Sequence, residues 1–255
     1  MYELINNLKI NYEIYGEGKP ILLLHGWGGS INSLKNLALE LSKKNYKVFI
    51  IDIPGFGDSS KPNKDFTLKD YADIVEEFLQ KKRLNSLNVF GHSFGGSVAI
   101  KMSVSNKLII KKLILCNSSG IRDIDDKKVN KIKRISKLIR RIFYLPILRS
   151  MYPRLRKFFY YYILRERDYI NHQEIAGTFK KVVKEDLTPY LERIKIPVLL
   201  LWGENDKHTP IEYADIMDRN IKSSQLKVIR GAGHDLPLRK PKIVGNEIDK
   251  FINDR

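Results

Sequence analysis

Leu87-Asn88-Val89-Phe90-Gly91-His92-Ser93-Phe94-Gly95 runs from a short apolar segment into a glycine-bracketed serine. The residues that follow, with Val98, Ala99 and Met102 on one side, suit a helix. Gly91-His92-Ser93-Phe94-Gly95 fits the G-x-S-x-G pattern of a nucleophile elbow, a sharp strand-to-helix turn that lifts a serine hydroxyl out of the backbone. A serine at the tip of such a turn is held in a strained conformation. Side chains two residues to either side would collide there, which accounts for Gly91 and Gly95. The helix after the turn aims its first amides at any charge that forms beside Ser93. A tight turn without chemistry is the alternative reading of the pattern.

Outward from this turn, the chain alternates strand and helix signals. Lys9 to Tyr15 alternates apolar and polar residues, as a half-exposed antiparallel strand does. Ile21–Leu24 is a short continuous apolar run, as expected of a strand buried on both faces, and Val48–Ile51, Leu87–Phe90, Leu113–Cys116, Val198–Trp202 and Leu226–Ile229 are further strand candidates. Helical spacing links them at Ile31–Lys43, Leu68–Lys82, Ser97–Ser105, Ile211–Asn220 and Ile243–Phe251. The expected fold class is therefore α/β, a mostly parallel sheet flanked by helices. One segment interrupts the rhythm. From Arg122 to about Lys184 no buried-strand signal occurs, while Ile132, Ile135, Leu138, Ile139, Ile142 and Phe143 recur at helical spacing. This segment is longer than one crossover between parallel strands requires. The division expected is an α/β core at 1–121 and 185–255, with a helical insertion at 122–184; surface helices of the core layer are the other reading.

A serine hydroxyl attacks only when a base takes its proton. Five histidines are available. His25 sits in a glycine-rich turn, His92 inside the elbow, His172 in the insertion, and His208 just before a helix. His234, in Gly231-Ala232-Gly233-His234 after the last strand, is best placed to reach over the strand ends. An acid must then orient the imidazole. Asp206 follows the Val198–Trp202 strand, with Glu204 as its competitor. Thr209-Pro210-Ile211-Glu212 reads as a capping box for the next helix, which leaves Asp206 free of that duty. Donors for a developing oxyanion are expected from the backbone N–H of Phe94 and of Trp27, with Gly28 second to Trp27. The glycines of His25-Gly26-Trp27-Gly28-Gly29 do not make a phosphate cradle, because neither Lys-Ser/Thr nor G-x-G-x-x-G spacing accompanies them.

With Asp52-Ile53-Pro54-Gly55-Phe56-Gly57-Asp58-Ser59, Trp202-Gly203-Glu204-Asn205-Asp206 and Gly233-His234 added, the chain resembles the α/β-hydrolase superfamily over nearly its whole length. The resemblance implies a helical cap between the sixth strand and the acid-bearing strand. It also implies chemistry without cofactor or metal, through an acyl-Ser93 that water activated at His234 then hydrolyses. Haloalkane dehalogenases and epoxide hydrolases of that superfamily carry aspartate where this chain has Ser93. Prolyl iminopeptidases carry HGGPG in place of His25-Gly26-Trp27-Gly28-Gly29. Carbon–carbon bond hydrolases of ring-cleavage pathways share the HGWG opening, but have Asn before the nucleophile and an aromatic after the base. Here those positions are His92 and Asp235.

The 255 residues include 46 basic and 29 acidic ones, a net +17. Much of that surplus lies between Lys131 and Arg167, where 12 Lys or Arg face one acid, Glu166. A solvated face over an apolar underside is the commonest meaning of such a segment. Peripheral association with an anionic membrane surface is another, given Tyr144, Tyr152, Phe158 and Phe159 among the charges. An anionic substrate is the third. Nucleic acid is not expected, since no binding motif accompanies the charge. One cysteine, Cys116, excludes an internal disulfide, and no apolar run approaches the roughly 20 residues of a membrane span. The opening Met1-Tyr2-Glu3-Leu4 lacks a basic segment leading into an apolar one, so a cytoplasmic location is expected. The activity expected is that of a serine esterase acting on a small or medium carboxylic ester, thioester or amide, with an apolar or anionic small molecule as substrate. A C–C bond hydrolase with the same triad, or a non-enzymatic sensor that retains it, are the alternatives.

Overall fold

A computed structural model describes residues 1–105, 107–122 and 175–254. Eight strands form one sheet: β1 (Tyr2–Ile5), β2 (Leu8–Tyr15), β3 (Lys19–Leu24), β4 (Tyr46–Ile51), β5 (Ser86–His92), β6 (Ile109–Cys116), β7 (Val198–Gly203) and β8 (Ser224–Ile229). Their spatial order is β1-β2-β4-β3-β5-β6-β7-β8. β2 is antiparallel to both β1 and β4, and every other pair is parallel. The fold is α/β, a mostly parallel sheet with helices on its faces, as the alternation of signals predicts.

The described helices are α1 (Ile31–Ser42), α2 (Leu68–Lys81), α3 (Phe94–Ser103), α4 (Ala176–Val182), α5 (Thr188–Leu191), α6 (Ile211–Asn220), α7 (Leu236–Arg239) and α8 (Pro241–Asn253). Strand alternation divides the core in two. Leu22, Leu24, Phe49, Ile51, Val89, Leu113, Leu115 and Trp202 pack with residues of α2, α3 and α6. Ile21, Leu23, Val48, Ile50, Phe90, Ile114 and Leu201 pack with residues of α1 and α8 on the other face. Both faces of the central strands are therefore apolar, which is why those strands read as continuous hydrophobic segments. At about 1.5–3 kcal/mol for each fully buried aliphatic side chain, these two layers hold the strand ends rigidly enough to build a site on them.

β3 lies between β4 and β5, so successive connections leave it in opposite directions. In an open sheet, the loops at the carboxyl ends of strands around such a reversal converge on a crevice. The loops after β3, β5, β6, β7 and β8 all open on that edge, because these strands are parallel.

Two expectations need correction, and one strand has no counterpart in the sequence reading. α3 starts at Phe94, directly after Ser93, rather than at Ser97. The capping box at Thr209–Glu212 does not form: α6 has Pro210 at its N-cap with no side-chain cap bond. Instead the Thr209 hydroxyl is drawn inward to Asp206 and Asn117. β1 is the added strand; it is an edge strand with only Ile5 fully buried. The insertion expected at 122–184, with its basic and aromatic segment and His172, lies outside the described residues except for Arg122 and residues 175–184, which carry α4. Among the described residues no helix is long and apolar enough to cross a membrane.

Candidate active site

The turn after β5 has the strain its sequence implies. Ser93 has φ 51° and ψ −115°, a backbone conformation few residues other than glycine adopt. A Cβ on Gly91 would lie 2.5 Å from Gly95 O, and one on Gly95 would collide with the carbonyl oxygen of Leu24 in β3. The two glycines thus let the elbow close and let β3 approach it. The strained serine is held on both sides by β6 and the residues after it: Ser93 N–H donates to Cys116 O at 3.1 Å, and Ser93 O accepts Ser119 N–H at 3.1 Å.

Ser93 and His234 are 141 residues apart in the chain, and His234 Nε2 lies 3.0 Å from Ser93 Oγ. On the other side of the ring, His234 Nδ1 is 2.8 Å from Asp206 Oδ2. An ionised carboxylate only accepts, so Nδ1 carries the proton and Nε2 offers its lone pair to the serine hydroxyl. Asp206 is buried and closely held. Its Oδ1 accepts the N–H groups of His208 at 2.8 Å and Thr209 at 3.0 Å. Its Oδ2 also accepts the Thr209 hydroxyl at 2.7 Å and the side-chain amide of Asn117. Burial alone would push this carboxyl upward. The hydrogen bond and charge of His234, then those from Thr209, outweigh burial and hold it at about 2. It is therefore ionised throughout the neutral range.

The other candidates fall elsewhere. Glu204 Oε2 accepts Gly231 N–H at 2.8 Å and supports the loop rather than the imidazole. His25 is buried: Nδ1–H donates to Gly26 O at 2.7 Å and Nε2 accepts Ile53 N–H at 3.0 Å, so the ring ties the loop after β3 to the segment after β4. The His92 ring is committed to the loop of the base: its Nε2–H donates to the backbone carbonyl of His234 at 2.8 Å. Burial, then the neighbouring charge of His234, pushes His92 down to about 3, so it is neutral. The His208 ring stands 4.9 Å from that of His234.

Of the two amides expected as oxyanion donors, that of Phe94 opens α3, so it is a first-turn N–H with no partner inside the helix. The loop after β3 lies against the elbow: a Cβ on Gly26 would be 3.3 Å from Ser93 Cβ, and the Trp27 and Phe94 rings meet edge-on at 5.2 Å. Trp27 also meets Phe56 at 4.9 Å and Phe179 of α4 at 5.0 Å, so an aromatic wall adjoins the turn.

Asn117 has no counterpart among the residues expected from sequence. It is fully buried at the end of β6, in the left-handed region at φ 46°. An asparagine in Cys116-Asn117-Ser118-Ser119-Gly120 carries no distinguishing sequence signal.

An elbow serine at the reversal point of such a sheet, with an imidazole and a carboxylate in line, defines a class of α/β enzyme. Residues 19–137 match the family described as alpha/beta hydrolase fold, and residues 176–254 match the one described as TAP-like protein. The chain belongs to the α/β-hydrolase superfamily and is by family a hydrolase. It is 28% identical to the AB hydrolase superfamily protein YisY of Bacillus subtilis, over 94% of each chain. It is 27% identical to Lipase 1 of Psychrobacter immobilis, over 85% of this chain and 71% of that one. A thermophilic esterase from Thermogutta terrifontis shares the fold with a TM-score of 0.74 at 24% identity, over 99% of this chain and 97% of that one.

Proposed function

We propose that this protein is a serine hydrolase that cleaves small or medium carboxylic esters, or related thioesters and amides. The observation that carries the reading is the continuous line from Asp206 through His234 to Ser93, with contacts of 2.8 and 3.0 Å. Similarity to a lipase of Psychrobacter immobilis supports ester bonds as the target.

In this reading Ser93 Oγ attacks the acyl carbon while His234 Nε2 takes its proton. The carbonyl oxygen becomes an oxyanion held by the amides of Phe94 and Trp27. Collapse of the tetrahedral species breaks the bond to the leaving alcohol, which receives the proton from His234 and departs. The acyl group remains on Ser93. Water then attacks the acyl carbon, giving its proton to His234, and the second tetrahedral species expels Ser93 Oγ, which recovers that proton. Asp206 stays ionised, fixes the Nδ1–H tautomer and stabilises the imidazolium.

A series of p-nitrophenyl esters from acetate to octanoate tests this. Turnover is expected with the shorter acyl chains and is lost in Ser93→Ala. Turnover of vinylogous diketones without any of esters would reassign the same three residues to C–C bond cleavage.

A further inference from the structure

The histidine assigned as base sits on a loop with two glycines, Gly231 and Gly233, and free movement of that loop would disperse the geometry of the site. The loop is nevertheless held at three successive carbonyls. Ala232 O accepts Asn205 N–H at 2.8 Å, Gly233 O accepts the Asn117 side-chain amide at 3.1 Å, and His234 O accepts His92 Nε2–H at 2.8 Å. The last two donors are buried side chains from the ends of neighbouring strands, β6 and β5. We infer that Asn117 and His92 are a pair of positioning residues that clamp the backbone of Gly233 and His234, fixing the imidazole between Asp206 and Ser93. The inference rests on the serine-hydrolase reading above.

Asn117 does more than hold the loop. The same Nδ2 group also donates to Asp206 Oδ2, and Oδ1 accepts Gly203 N–H at 3.2 Å at the end of β7. Its backbone N–H continues the β6–β7 ladder to Leu201 O at 3.0 Å. One buried side chain thus ties the acid, the strand that carries the acid, and the loop that carries the base. Buried amides satisfied on both ends resist reorientation, since any other rotamer would leave donors without partners. His92 complements this from the elbow itself. Because it immediately precedes Ser93, its bond to His234 O links the nucleophile's turn to the base's loop directly.

Among the described residues, the titratable groups around this cluster include Asp206, His234, His208, His92, His25 and the buried Cys116. Replacing Asn117 with aspartate would remove both N–H donors and add a second carboxylate beside Asp206. Two buried carboxyl groups in such contact share a proton, so the variant loses amide donors without gaining a charge.

The test compares wild type, Asn117→Ala, Asn117→Asp, His92→Ala and His92→Gln in kcat and KM with a p-nitrophenyl ester, together with the second-order rate of labelling by a fluorophosphonate. Thermal melting establishes that each variant is folded. The clamp predicts kcat and labelling rate reduced about 10- to 100-fold in Asn117→Ala, Asn117→Asp and His92→Ala with KM changed little, as misplacing a catalytic group does. His92→Gln, which keeps an N–H donor, should retain more activity than His92→Ala. Folded Asn117→Ala, Asn117→Asp or His92→Ala proteins that keep the wild-type kcat and labelling rate overturn the clamp, as does a defect confined to KM. Should Asn117→Ala fail to fold, His92→Ala and the near-isosteric Asn117→Asp decide. A wild-type protein that neither labels nor hydrolyses the ester fails the serine-hydrolase reading instead, which separates the two outcomes.

Discussion

Oδ2 of Asp206 stands 2.8 Å from Nδ1 of His234, whereas the carboxylate of Glu204, two residues earlier in the chain, turns to Gly231 N–H. The two acids therefore have different work. Asp206→Asn should lower kcat by about 10⁴-fold while leaving the fold intact, because the imidazole loses its partner and its tautomer. Glu204→Gln should change kcat only a few-fold. Steady-state rates on one p-nitrophenyl ester decide between them, and the reverse pattern would move the acid to Glu204.

Gly95 and Gly231 separate crowding from backbone strain. A methyl group on Gly95 meets the backbone carbonyls of Leu24 and His25, which cannot step aside, so Gly95→Ala should destabilise by about 3 kcal/mol or more and abolish labelling of Ser93. Gly231 has φ 64° with nothing within 4 Å of a Cβ, so Gly231→Ala should cost only about 1–2 kcal/mol. Urea unfolding measures both, and equal losses would contradict the packing at the elbow.

Stability should fall as solution is acidified from pH 6.5. The unfolded chain protonates His92 near 6.5, whereas burial keeps it neutral in the native state down to about 3. Between those values the unfolded state holds more protons, so acid favours unfolding by up to about 1.4 kcal/mol per pH unit for this group. His25, lowered by burial, acts in the same direction. Asp206, ordinarily at 3.8 and held at about 2, adds a further loss between those values. Urea midpoints from pH 7 to 4.5 should decline, and His92→Gln should flatten the decline. A midpoint that rises on acidification would show that His92 is charged in the native protein.

The strands that build the site were legible because burial on both faces makes them runs of Val, Leu and Ile, as in Ile21–Leu24 and Val198–Trp202. The elbow was legible because its glycines answer a local steric demand. β1 was not, since only one of its four residues is fully buried and no periodicity survives at an exposed edge. The Thr209 cap was misread for a different reason. Its hydroxyl suits a helix N-terminus, but Asp206 and Asn117 O compete for it from the folded interior. Asn117 and His92 were invisible as positioning residues because their partners are backbone carbonyls more than 100 residues away, and a carbonyl has no sequence signature.

Reaction with a fluorophosphonate followed by mass mapping of the modified peptide tests the central claim most directly. The account predicts one label per chain, on Ser93. It also predicts that Ser93→Ala takes no label and loses roughly 10⁴- to 10⁶-fold in ester turnover. A label on another residue, or a Ser93→Ala protein that hydrolyses the ester at the wild-type rate, would contradict it.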